Sequence, residues 1–212
     1  ALPYVLVADI PLIDAYFEAV SGFTTTGMTL INPEELPRGL LFWRAFTQWI
    51  GGVGIILLFL LFIPQSGLGV GAWRLYQAET REARVTARIQ DTIKRIWIIY
   101  AALTGLCIFF LFLAGFDWFD AIAHSFTVVS TAGFSTNALS IQAFHNPTAE
   151  VILIIFMILG ATNFMILLRL FAGKPSALIR SLEWKFMLII IAVFSLIIAG
   201  ELFSNASYNI TD

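Results

Sequence analysis

Charge is scarce in this chain. Only 12% of its 212 residues are Asp, Glu, Lys or Arg, about half the ~25% of an ordinary globular protein. Three stretches (45–73, 96–116 and 151–168) hold no charged residue. Each approaches or exceeds the ~18–20 residues of a spanning helix. With 59% hydrophobic residues and a mean hydropathy of +0.87, the chain is excluded from the soluble class and is expected to be an integral membrane protein. Cysteine is nearly absent. Cys107 stands alone, which excludes an intrachain disulfide framework and a cysteine metal site. The only histidines are His124 and His145. Asp120 and His124 are four apart and could share a ligand, but no third partner accompanies them, so no metal centre is expected there. Nothing arranges Ser, His and Asp as a triad, so no enzyme is expected. A basic segment ahead of an apolar core is missing too. The chain opens on Ala1-Leu-Pro and ends at Asp212, and it reads as a fragment.

The basic residues are few but clustered. Six of the 12 lie in 74–95 and four in 169–185, leaving only Arg38 and Arg44 elsewhere. The positive-inside rule puts both clusters in the cytoplasm. Crossings then alternate: inward from Arg38 to Pro64, outward over 96–116, inward over Glu150–Leu170, outward over Trp184–Phe203. On this topology most acids are external, Asp14, Glu18, Asp117 and Asp120 among them, and a negative mouth would concentrate cations. The segment 73–94 has Arg and Glu spaced as in an amphipathic helix at the inner surface.

Two hydroxyl-rich runs stand out against this background: Ser21-Gly-Phe-Thr-Thr-Thr-Gly-Met-Thr29 and Val129-Ser-Thr-Ala-Gly-Phe-Ser135. A shift of 106 positions, which carries Asp14 onto Asp120, also carries Ser21 onto Thr127, Thr25 onto Thr131 and Gly27 onto Gly133. The same shift puts Gly54 on Gly160. Each run follows a helix too short to cross a bilayer and precedes a polar turn and a long apolar segment. This is an internal repeat of helix, pore loop and helix.

The physical reading follows from the solvent. In hydrocarbon an unpaired backbone group costs several kcal/mol, so irregular backbone is tolerated only where it lines a cavity or is buried in protein. Bare carbonyls are acceptors without full charge and can replace the hydration shell of a monovalent cation. Gly27 and Gly133 allow backbone angles closed to other residues. The partly negative C-terminal ends of the short helices favour a cation over an anion. A transporter with discontinuous helices is a competing architecture, but a half-length helix returning to its own side fits a pore loop better.

At these residues the chain resembles the Trk/Ktr/HKT superfamily of potassium transporters, and most of all the membrane subunit of bacterial Trk systems. The matching stretches are 21–27, 36–44, 47–55, 75–79 and 130–136. The resemblance implies an all-α integral membrane protein with a potassium-channel-like, pseudo-fourfold pore, about half of it present. Residues 1–64 would hold the pore loop and inward helix of repeat two. Residues 65–95 would be a cytoplasmic linker with an amphipathic helix, 96–172 repeat three, and 173–212 a cytoplasmic loop and the first helix of repeat four.

By the same resemblance, Thr25, Thr26, Gly27 and Met28 belong to one quadrant of a potassium-binding filter. Thr131, Ala132, Gly133 and Phe134 belong to another. Gly160, Ala161, Thr162, Asn163 and Phe164 would form an intramembrane gating loop, with Ala161 where a further Gly is expected. The implied cargo is K+, taken up by flux or symport, with no organic cofactor. The implied setting is the bacterial inner membrane, crossed several times and bathed in lipid. The implied partners are a second copy of the chain and a cytosolic ring of nucleotide-binding regulatory subunits; nothing calls for nucleic acid. The alternative is a non-conducting membrane scaffold that docks a cytosolic partner through 73–94.

Overall fold

The structure, a computed structural model, describes residues 1–62, 82–173 and 175–208. Among them every regular element is helical. One compact unit, Ala1–Ala161, contains α1 (Leu2–Ala8), α2 (Leu12–Phe23), α3 (Arg38–Phe62), α4 (Glu82–Leu113), α5 (Trp118–Val129) and α6 (Pro147–Gly160). A second, Thr162–Asp212, contains α7 (Phe164–Phe171), α8 (Ser176–Arg180) and α9 (Leu182–Tyr208). The Gly-rich exit after α3 and residues 73–81 of the expected amphipathic segment lie outside the described residues.

Local chemistry sets where the helices start. Pro11 precedes α2, and Asp14 sits in its first turn, where a carboxylate suits the positive end of the helix dipole. Asp117 caps α5 by accepting from the Phe119 N–H at 3.4 Å, with Asp120 in the first turn. Asn146 caps α6 by accepting from the Ala149 N–H at 3.1 Å, and Pro147 occupies the first turn, where its missing N–H costs nothing. Short 3-10 turns, Pro33–Glu35 and Ser140–Phe144, lead into α3 and α6.

The packing is helix on helix. In the first unit α5 lies against α3, α4 and α6, and α2 lies against α3. Aromatic rings fill the α3–α5 seam: Phe126 of α5 meets Trp49 at 5.3 Å, Phe42 at 5.9 Å and Phe46 at 6.2 Å between centroids. Two hydrogen bonds tie α3 to α4. Trp49 Nε1 donates to Thr104 Oγ1 at 3.0 Å, and the Tyr100 hydroxyl donates to the Trp49 carbonyl at 3.0 Å. α4 runs without a break through Arg95 and Ile96, so the end of the expected surface segment and the following crossing are one helix.

Among the described residues two helical stretches, Ile93–Leu113 and Leu182–Glu201, are long and apolar enough to cross a membrane by length and composition. The second is exposed on all sides within its unit: Ile189, Phe194, Leu196 and Ile198 are each more than half exposed. A helix apolar all round demands lipid or protein around it.

The two repeats pack alike, but their register differs from the one expected from sequence. Short-helix positions keep the shift of 106, Asp14 to Asp120: buried Ala15, Glu18 and Ser21 correspond to buried Ala121, His124 and Thr127. The long helices do not. α3 starts at Arg38 and α6 at Pro147, a shift of 109. Buried Leu40, Arg44 and Thr47 then correspond to buried Ala149, Leu153 and Phe156. Gly51 therefore corresponds to Gly160, which corrects the Gly54 pairing. A longer turn after the second pore loop is the reason. Close contacts confirm the register. A Cβ on Gly51 would overlap the Phe23 carbonyl at the end of α2, and one on Gly160 would lie 2.8 Å from the Val129 carbonyl at the end of α5, while a Cβ on Gly54 would meet nothing within 4 Å.

Gly51→Ala should therefore cost about 1–3 kcal/mol through overpacking, whereas Gly54→Ala should be neutral or stabilising through helix propensity. Thermal unfolding of the two purified full-length variants checks this, with the Gly51 variant melting lower.

Candidate functional site

Both pore helices end in the same way. In α2 the Thr26 N–H reaches back to the Ser21 carbonyl at 3.0 Å and the Thr25 N–H to the Gly22 carbonyl at 3.1 Å. In α5 the Ala132 N–H reaches the Thr127 carbonyl at 2.9 Å and the Thr131 N–H the Val128 carbonyl at 3.0 Å. This is the Schellman closure, which needs a left-handed residue and normally has glycine there. Here it has Thr25 and Thr131, both at φ 55. A β-branched residue in that region is an outlier, and it occurs at the same point of both repeats. The chain reverses again at Gly27 (φ 76) and Gly133 (φ 125). Gly27 is constrained twice, since a Cβ there would also overlap the Ala132 carbonyl oxygen. The two strands thus come close enough at that point to exclude a methyl group.

Among the described hydrogen bonds, none ends on the carbonyls of Thr25, Thr26 and Gly27, or of Thr131, Ala132 and Gly133. Six neutral acceptors are therefore left bare on two adjacent strands. The flanking residues are held instead. Ser21 Oγ donates to the Met28 carbonyl at 2.6 Å, and the Thr24 and Thr26 hydroxyls share a hydrogen bond at 2.8 Å. Beyond the first strand, Glu18 Oε1 accepts from the Thr29 hydroxyl at 2.5 Å and the Leu30 N–H at 2.7 Å. Arg44 Nη2 donates to the same Thr29 hydroxyl at 2.9 Å and lies 3.6 Å from Glu18 Oε2.

The second strand is held partly by its own repeat and partly by α3. His124 Nδ1 lies 2.8 Å from the Asp120 carbonyl and Nε2 lies 3.2 Å from Ser135 Oγ. A carbonyl only accepts, so Nδ1 carries the proton, and in the neutral ring Nε2 then accepts from the serine. The Thr136 hydroxyl donates to Asp120 Oδ1 at 2.7 Å. From α3, Gln48 Oε1 accepts the Phe134 N–H at 3.2 Å, and the Arg44 guanidinium sits 4.3 Å from the Phe134 ring centroid. Arg44, Thr47, Gln48 and Gly51 form one i, i+3, i+4, i+7 stripe, which faces the pore-loop end of the first unit. Three more buried donors on this stripe, Arg44 Nε and Nη1 and Gln48 Nε2, meet no acceptor among the described residues.

The site residues named from sequence divide as follows. Gly27 is brought against Ala132 and Gly133 of the other strand, with Thr25, Thr26 and Thr131 preceding them in their own strands. Met28 and Phe134, expected to match, differ: Met28 is 66% exposed, and Phe134 is buried under Arg44. Glu18 is corrected. It is no vestibule acid but a fully buried carboxylate midway along α2. Both ring nitrogens of His124 are taken by protein atoms, so the His124–Asp120 pair is a brace. His145 takes the left-handed turn position, φ 46.

The expected gating stretch interrupts the helical path. α6 ends at Gly160 with Ala161 as its cap, and α7 begins at Phe164. Within the second unit, Asn163 Nδ2 donates to Glu183 Oε2 of α9 at 3.0 Å. Sequence reasoning missed Glu18, Arg44 and Gln48. The available signal was an arginine inside an otherwise apolar helix, where a buried charge needs a partner.

Comparison with known proteins gives a consistent set. The family model for TrkH, described as cation transport protein, matches residues 5–201. The Trk system potassium uptake protein TrkH of Escherichia coli K12 is 40% identical over 181 residues, covering 82% of this chain and 37% of that one. An uncharacterized cation transporter of Methanocaldococcus jannaschii is 40% identical over 202 residues, covering 94% of this chain and 41% of that one. The crystal structure of the potassium transporter TrkH from Vibrio parahaemolyticus superposes with a TM-score of 0.76 at 35% identity, over 91% of this chain and 40% of that one. The chain thus spans roughly two fifths of the length of these relatives.

The strained threonines give a local test. Thr25→Gly or Thr131→Gly should relieve a left-handed β-branched residue, a strain of roughly 1–3 kcal/mol. Each should raise the unfolding temperature of the full-length protein, and a lower temperature in both would contradict the strain.

Proposed function

This chain belongs to the TrkH family of cation transport proteins, and from that premise we propose that the full-length polypeptide moves potassium across a bacterial inner membrane. It is a transport protein rather than an enzyme. The strands 25–28 and 131–134 act as two quadrants of a single-glycine selectivity filter. The six bare carbonyls on two touching strands carry this reading. Neutral oxygens fixed by a surrounding frame can replace a cation's water without trapping it. The C-terminal ends of α2 and α5 precede these strands and add partial negative charge.

The stretch Gly160–Phe164 acts as the gate. A helix broken at membrane depth leaves backbone groups that favour a polar lining. The relatives named Trk system potassium uptake proteins support potassium as the cargo. The family resemblance supports a dimer and a cytosolic nucleotide-binding regulatory ring as partners, with ion-coupled uptake or channel-like flux as the mode.

The test is cation flux. In vesicles holding the full-length protein, Gly27→Ser should reduce the preference for potassium over sodium by about tenfold or more. Its side chain has to displace the Ala132 carbonyl as well as adopt a disfavoured φ. Gly133→Ser should reduce the preference less, because only the backbone angle opposes it. An unchanged preference in both variants contradicts the filter.

A further inference from the structure

Glu18 and Arg44 are an unusual pair to find beside a cation filter. Their side chains are 0% and 2% exposed, and they face each other at 3.6 Å. The pair touches both strands. Glu18 accepts from Thr29 and Leu30, which follow the first strand, and Arg44 donates to Thr29. The Arg44 guanidinium also sits over the ring of Phe134, the residue after Gly133. The Thr29 hydroxyl is the relay, accepting from Arg44 while donating to Glu18.

The second repeat shows what the same fold does without this charge. In the register given above, His124 stands at the place of Glu18 and Leu153 at the place of Arg44, and both are buried. His124 still grips the following strand through Ser135, as Glu18 grips Thr29. Both charges are therefore replaced together, and the neutral pair supports the same helix ends, with Thr25 and Thr131 at the same φ of 55. A buried ion pair gives little net stability over an apolar pair of similar size, so holding up the fold does not explain the charge. What the charged pair has and the neutral pair lacks is reach: Arg44 extends from the first repeat's strand to the second's.

We propose that the Glu18–Arg44 pair is a positioning brace that couples the two filter strands and so sets the discrimination between potassium and sodium. Glu18 holds the guanidinium in place. The guanidinium fixes Phe134 by a cation–π contact, a geometry that is strong when desolvated, while Gln48 fixes the Phe134 N–H. The spacing between the bare carbonyls of the two strands is then set from α3 rather than by each strand alone. This inference rests on the reading of the strands as a potassium filter.

The experiment uses the full-length protein in vesicles, with potassium and sodium fluxes normalised to incorporated protein and thermal unfolding measured in parallel. Arg44→Leu alone leaves a buried carboxylate without its cation and should both destabilise the protein and lower the potassium-to-sodium ratio. The combined variant Glu18→His with Arg44→Leu copies the neutral pair of the other repeat. It should recover most of the unfolding temperature, yet its flux ratio should stay lower by about tenfold. Phe134→Leu keeps the ion pair and removes only the ring, and should lower the ratio severalfold. Should the single variant fail to fold, these last two still decide. A combined variant with wild-type selectivity, or an unaffected Phe134→Leu, overturns the brace. A wild-type protein that carries no potassium overturns the filter reading beneath it, which is a different and separately visible result.

Discussion

Irregular backbone inside a membrane has to be held by something other than water, and that constraint organises this structure. Among the described residues, the carbonyls of residues 25–27 and 131–133 meet no hydrogen-bond donor. Such groups are tolerated in hydrocarbon only when surrounding protein shapes a polar lining around them. The surrounding protein here is largely one helix stripe. Arg44, Thr47, Gln48 and Gly51 let α3 lie directly against the end of α2 and reach to the second strand. The Schellman closures of α2 and α5 do the rest, reversing the chain with threonines held at positive φ. Bare oxygens, a strained turn and a buried polar stripe are parts of one arrangement.

The repeats show which parts are geometric and which are chemical. Both keep a glycine against the final carbonyl of the pore helix, Gly51 against Phe23 and Gly160 against Val129. Both keep a grip from the short helix on the residue two beyond the positive-φ glycine, Glu18 on Thr29 and His124 on Ser135. The chemistry of the grip differs, charged in one and neutral in the other. A pseudosymmetric ring assembled within one polypeptide can differ from place to place in this way, which a ring of identical subunits cannot.

Much of this was legible in the residues. Scarce charge gave the membrane class, and the Thr/Gly runs at one spacing gave the repeat, because hydroxyls and a single glycine between apolar segments have few other uses. The break near Gly160 was visible as Ala-Thr-Asn within an apolar run. The register of the long helices was not, because the turn after the second loop is longer and a single shift cannot serve both halves of the unit. The Glu18–Arg44 pair was hidden for a related reason. Glu18 and Arg44 lie on different helices, and only the packing of α2 on α3 shows that both face inward. In the sequence Glu18 falls among the outer acids, because its place on a short outer helix is readable there while the face it occupies is not. Met28 and Phe134 occupy equal places in the two runs, yet only Phe134 is buried, since Arg44 reaches across to it alone.

The central claim is that the six bare carbonyls coordinate the transported cation. Crystals of the full-length protein grown with rubidium or thallium in place of potassium test it most directly, because both ions scatter anomalously. The account predicts anomalous peaks within coordination distance of the Thr25–Gly27 and Thr131–Gly133 carbonyl oxygens, aligned along one axis. An ion-loaded structure with no peak beside either strand, and peaks elsewhere at membrane depth, would contradict it.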